Sequence, residues 1–246
     1  MKGVTITMGA VAVAAITGMA DAGIIFFTDE AAFNQALADA GKVSKGIEDF
    51  EQALIGPVEA LLMNDPLNIN NLQGAFKPGD FIDNLTFQSN TNGTPDINDP
   101  GVNGLNPRGV DGLRLVRDPD GSVGLVSALE SDSFDILSGP PAGGNHTALG
   151  MHVDTYIAAG PPIEVRVFDK NERQIGLISI FPNPPAGQFL GILATGGDTI
   201  GRVNIWDTLG PLQEGINDIQ TYLIPAPGAW ALLGLAGLFG PWRRRR

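Results

Sequence analysis

The stretch Ile163-Glu164-Val165-Arg166-Val167-Phe168-Asp169-Lys170-Asn171-Glu172-Arg173-Gln174-Ile175-Gly176-Leu177-Ile178-Ser179-Ile180-Phe181 decides the fold. From Ile163 to Val167 apolar and charged residues alternate. An extended chain therefore puts Ile163, Val165 and Val167 on a core face and Glu164 and Arg166 in water. Phe168 continues the outward parity. Asp169 to Arg173 are five polar residues that reverse the chain into a second apolar run, 174–181. Segments of the same kind occupy 122–129, 133–137, 148–154, 188–194, 200–207 and 219–224, with no helical pattern between them. Strands joined without helices pair antiparallel, so the predicted architecture is all-β, an antiparallel β-sandwich of two stacked sheets, jelly-roll-like. The 33 Gly and 18 Pro among 246 residues agree with it, being too much punctuation for long helices. A hydrophobic share of 43% excludes a disordered chain. No repeat of the period expected for a propeller or solenoid is present.

Outward from this half, residues 23–27 (GIIFF) read as a strand and Thr28 as the N-cap of one short helix. Asp29 and Glu30 suit the positive end of its dipole, Phe33, Ala36, Leu37 and Ala40 share a face, and Gly41 stops it. Residues 54–76 mix apolar residues with Pro57, Pro66 and Gly74, which predicts one or two short strands. Residues 81–87 read as another, with Phe81, Leu85 and Phe87 on one side. Residues 89–110 are rich in Asn, Asp, Gly and Pro and predict a long loop. Asp96, Asn98 and Asp99 offer oxygen ligands there, but not at EF-hand spacing, and a solvated loop is the expectation. Asp118-Pro119-Asp120-Gly121 signals a hairpin turn.

Both ends read as addresses. Met1-Lys2, the apolar run 4–19 and Ala20-Asp21-Ala22 make a signal peptide, residues 1–22, with a helical apolar core and cleavage after Ala22. At the other end, residues 225–246 run Pro225-Ala226-Pro227, an uncharged apolar stretch 228–242, then Arg243, Arg244, Arg245 and Arg246. Four guanidiniums do not cross a bilayer and stay cytoplasmic, so the preceding chain lies beyond the inner membrane. The apolar stretch, taken as a transmembrane helix, reaches roughly 22 Å against a hydrocarbon core of ~30 Å, which suits a temporary stop better than a permanent span. Proline-flanked tripeptide, apolar helix and arginine run in that order resemble the C-terminal signal of the PEP-CTERM family of exported bacterial surface proteins. The opening FFTDEAAFNQALADAG and the hairpin half of residues 23–224 resemble the bodies of such proteins more loosely. The resemblance implies an exosortase-type transpeptidase as partner, cutting at Pro225, Ala226 and Pro227, with transient anchoring in the inner membrane. It also implies a cell-surface or extracellular location and association with exopolysaccharide or biofilm matrix. Ala226 stands where the family has glutamate. A plain tail anchor is the alternative.

The chain carries −12. Without the four tail arginines, and with Lys2 and Asp21 cancelling, residues 23–224 carry −16, which argues against nucleic acid as a partner. Cysteine is absent, excluding disulfides, thiol nucleophiles and thiolate metal sites. There is no Gly-x-Ser-x-Gly turn. His146 and His152, on one strand, stand roughly 20 Å apart, too far to share a zinc ion. A glycosidase needs two carboxylates across a cleft, and spacing alone does not choose among Asp154, Glu164 and Asp207. The chain is therefore expected not to be an enzyme. In many carbohydrate-binding jelly rolls a structural calcium joins acidic residues near the first strand to an aspartate on the last. By similarity, Glu48 or Asp49, Glu51 and Asp218 are expected to share a calcium ion, with solvent-facing carboxylates as the alternative. Tyr156, Phe168 and Trp206 are the aromatics available for stacking on sugar, and no aromatic platform is legible in their order. The leading expectation is an exported, non-enzymatic surface or matrix protein. A calcium-dependent carbohydrate-binding module is the alternative, and a polysaccharide-active hydrolase a third reading. A concave sheet lined by aromatics and amides would favour the alternative, and a flat surface of scattered charges the structural role.

Overall fold

The alternation at 163–167 is realised in a computed structural model describing residues 23–56, 60–63, 66–72, 74–90, 113–117, 122–127, 133–138, 146–155, 162–182, 187–207 and 214–223. In chain order β1 (Gly23–Phe27) leads into α1 (Glu30–Asp39), and β2 (Val43–Glu48), β3 (Ala60–Leu62), β4 (Leu67–Asn68) and β5 (Leu85–Asn90) follow. The remaining strands are β6 (Leu113–Arg117), β7 (Val123–Ser127), β8 (Ser133–Ser138), β9 (Ala148–Thr155), β10 (Ile163–Phe168), β11 (Gln174–Ile180), β12 (Gln188–Thr195), β13 (Arg202–Asp207) and β14 (Glu214–Leu223).

They form two antiparallel sheets. One has the order β1-β12-β9-β14-β7-β6-β3, with β2 also paired to β14; the other has the order β11-β10-β13-β8-β5-β4. Between them lies one core. Leu115, Leu125, Met151, Val153, Leu190, Ile192 and Ile216 come from the first sheet, and Phe87, Phe134, Ile136, Val165, Val167, Val203 and Ile205 from the second. Ile163, Val165 and Val167 are fully buried while Glu164, Arg166 and Phe168 are not, as the period of two requires. The β-sandwich expected from the sequence is the observed fold.

The helix covers the outer face of the larger sheet. Phe33 and Leu37 pack there on Ala148, Phe189 and Leu193, joined by Phe27 and Tyr222. Close approach is possible because Gly191 lies beneath: a Cβ there would stand 2.5 Å from Phe33. Asp29, not Thr28, is the N-cap. Its backbone is extended and its carboxylate accepts from the Ala32 N–H at 2.7 Å, a bond the one-residue-earlier threonine is not placed to make. Gly41 ends the helix region at φ +61°, as glycine readily does. Residues 81–84 are not strand. Phe81 is buried, but Asn84 takes φ +72°, and pairing begins at Leu85. Of the one or two short strands expected within 54–76, two form, β3 and β4.

Strand β14 carries a bulge. Asn217 pairs with His152 and Gln220 with Gly150, so two residues of β14 face one of β9, and Asp218 sits there at φ +53°. Gly23 pairs with Thr195, Leu193 with Ala148, Ala148 with Tyr222 and Val43 with Leu223. The first and last described strands thus meet the rest of the chain at one end of the sandwich. His146 bridges to Ile200 at that same end, so Arg202 lies near it and Trp206 near the other. The expected signal segment 1–22, the tail 225–246 and residues 91–110 of the expected loop 89–110 lie outside the described residues, while the first two residues of that loop, Ser89 and Asn90, are strand and belong to β5. Among the described residues no helix is long and apolar enough to cross a membrane.

Candidate functional site

The outer face of the six-stranded sheet is built by register. Glu164, Arg166 and Phe168 of β10 stand beside Trp206, Asn204 and Arg202 of β13. Asn204 in turn pairs with Asp135 of β8, and Asp135 with Gln88 of β5. Alternation puts all of these on the side away from the core. Trp206 and Phe168 are half-buried and stand four positions apart along the strands, roughly 13 Å. A guanidinium covers a ring face of each: Arg166 lies 4.1 Å from the Trp206 ring centre and Arg202 3.8 Å from that of Phe168. Such stacking is favourable because the ring face is electron-rich, and it fixes the ring's tilt.

Each guanidinium is held in turn by carboxylate. Arg166 donates to Glu164 at 2.9 Å. Arg202 bridges, with Nη1 3.1 Å from Asp135 and Nη2 2.7 Å from Glu172. Asp135 also accepts from Asn204 Nδ2 at 2.9 Å. Asn204 is fully buried under this layer, and its Oδ1 has no hydrogen-bond partner among the described residues, an expensive condition for a buried acceptor. Glu172 comes from the turn after β10. That turn is clipped by Asp169, which accepts from the N–H groups of Asn171 and Arg173. The result is a polar and aromatic surface of paired charges, with the unmet Asn204 acceptor buried beneath it.

The opposite sheet's outer face carries His152, edge-on to Phe189 at 5.7 Å between ring centres. Its Nδ1 stands 3.4 Å from Asp218 Oδ2, an ion-pair distance without hydrogen-bond alignment. Contact with Asp218 moves its pKa above the ordinary imidazole value, against its partial burial, and Glu30 adds to the rise. The neighbouring Tyr222 donates to Gln220, and Gln220 donates to Glu30 at 3.0 Å. This chain ties the first turn of α1 to the sheet. His146 is buried, its Nδ1 lacks a partner among the described residues, and burial with nearby Lys45 lowers its pKa to about 4.

The four carboxylates expected to hold calcium have separate partners. Glu48 is buried opposite Ile219 on the core side. Its two oxygens accept from the N–H groups of Phe50 at 3.1 Å and Ile82 at 2.8 Å. Burial, opposed by those two bonds and reinforced by Asp49 and Asp80, raises its pKa to about 7. Asp49 caps a local turn at the Glu51 N–H. Glu51 reaches across to the Val123 N–H at 2.9 Å and to Arg117 at 3.3 Å. Asp218 faces His152 on the other side of the sheet. Among the described residues no group of three or more acidic or imidazole side chains is arranged to hold a metal ion. Asp154 and Glu164 lie on different sheets, facing away from each other. Pro225 to Pro227 and the four arginines lie outside the described residues.

Sequence reasoning gave the outward parity of Phe168 and the availability of Trp206, but not their shared face. The signal was present only as the parity of 200–207, which pairs with 163–169 once the register is known.

No protein-family model matches the chain, and no curated protein matches it. Among solved structures it is similar to two mutants of a family 29 carbohydrate binding module. The first has a TM-score of 0.30 and 15% identity over 56% of this chain and 91% of that one. The second has a TM-score of 0.29 and 14% identity over 56% and 92%.

Proposed function

We propose that this protein is an exported, non-catalytic glycan-binding module that holds polysaccharide on the outer face of its six-stranded sheet. The observation that carries the reading is the half-buried set Trp206, Phe168, Glu164, Arg166 and Gln88 on one sheet face, laid over the buried Asn204 and Asp135: aromatic rings beside held donors and acceptors on neighbouring strands. Sugar rings are recognised by that combination, an apolar surface for their C–H groups and hydrogen-bond partners for their hydroxyls. Binding without turnover fits the state of the carboxylates on this face. Glu164, Asp135 and Glu172 are each engaged by a guanidinium, whereas a glycosidase needs one of its pair free to give up a proton.

Export through residues 1–22 and sorting at Pro225-Ala226-Pro227 by an exosortase-type enzyme belong to the same proposal. A tether at either end of the body would leave the Trp206 end pointing away from it, toward matrix polymer. Affinity electrophoresis through gels containing soluble polysaccharides tests the binding. Retardation that Trp206→Ala and Arg166→Ala both weaken, and His152→Ala on the opposite face does not, is the expected result. Retardation unaffected by Trp206→Ala would move the site elsewhere. Mass spectrometry of the mature protein tests processing: a species starting at Gly23 and lacking the arginines is expected, and an intact C-terminus would refute sorting.

A further inference from the structure

The charge arrangement of the same face bears on which glycan it takes. Resting on the glycan-binding reading, the geometry points to an uncharged, hydroxyl-rich polysaccharide and against one bearing uronate, sulfate or phosphate groups. Polyanion recognition uses guanidiniums whose donors are free to fork onto an incoming anion. Here Arg166 is neutralised by Glu164, and Arg202 by Asp135 and Glu172 together, at 2.7 to 3.1 Å. Two cations facing three carboxylates leave no positive field for an anion to follow. An incoming carboxylate would have to displace one already in place and then sit beside it.

The long-range field acts in the same sense, since the whole chain carries −12 and repels polyanions beyond contact distance.

The test sets uncharged polymers, hydroxyethylcellulose and mannan, against alginate and polygalacturonate, in affinity gels at low and moderate salt. Retardation by an uncharged polymer at both salt levels, with none by the two uronate polymers, is the expected result. Trp206→Ala, checked for an unchanged melting profile, should weaken that binding about tenfold. Binding to alginate or polygalacturonate that fades with added salt overturns the inference and leaves glycan binding standing. No retardation by any of the four polymers overturns the glycan-binding reading and this inference with it.

Discussion

Replacing Glu48 by glutamine should make the protein more stable at pH 8 and leave it nearly unchanged at pH 4. The carboxyl is buried, and its pKa rises from 4.5 to about 7 in the folded protein. Below pH 4.5 both states hold the proton and the group costs nothing extra. As pH rises from 4.5, the unfolded chain ionises first, so stability is lost until the folded pKa is passed near 7. A shift of that size corresponds to about 3 kcal/mol. Glutamine mimics the protonated form: its one oxygen keeps one of the Phe50 and Ile82 N–H bonds, the other bond is weakened in both forms, and the buried charge is removed. Urea unfolding of both proteins at pH 4, 5.5, 7 and 8 measures the difference, and every other titrating group cancels in it. The gap should open from near zero to about 3 kcal/mol in favour of Glu48→Gln, worth several degrees in melting temperature for a body of this size. A gap that stays constant with pH refutes the burial argument. A gap that opens the other way would show that the two N–H bonds outweigh desolvation.

His146 should behave with the opposite sign. Its folded pKa, about 4 against 6.5, means that stability is intact above 6.5 and lost as pH falls toward 4. His146→Gln should therefore gain on the natural protein across that window by up to about 3 kcal/mol in the same unfolding assay, and equal losses in both would refute it. Gly191→Ala drives a methyl to 2.5 Å from Phe33 and should cost roughly 1–3 kcal/mol. Gly124→Ala, where the nearest atom is 3.5 Å away, is the control, and equal costs would mean that the helix is not docked over Gly191. Asp29→Ala should lose about 1 kcal/mol of stability by thermal melting and Thr28→Ala much less, with the reverse order restoring threonine as the cap. Calcium, added as the ion and then chelated, should leave the melting midpoint unaltered, because Glu48 and Glu51 already spend their oxygens on backbone N–H groups and Arg117. A calcium-dependent rise abolished by Asp218→Asn would show that these carboxylates do converge on an ion.

The sequence alone determined the class of fold, because strand alternation is local. Ile163, Val165 and Val167 needed no partner to declare a core side, and the approximate positions of β8 to β13 follow from short apolar segments with turn residues between. It also determined what chemistry is missing for want of cysteine. Tertiary structure decided which faces meet. Trp206 and Arg166 belong to strands far apart in the chain and become neighbours only through the β10 to β13 register, which no single segment encodes. Glu48 and Asp218 illustrate the converse. Glu48 on β2 and Asp218 on β14 lie on paired strands, yet pairing Glu48 with Ile219 sends its carboxyl into the core, while the bulge turns Asp218 toward His152. Side-chain direction depends on parity counted across a hydrogen-bonded ladder, and one inserted residue reverses it.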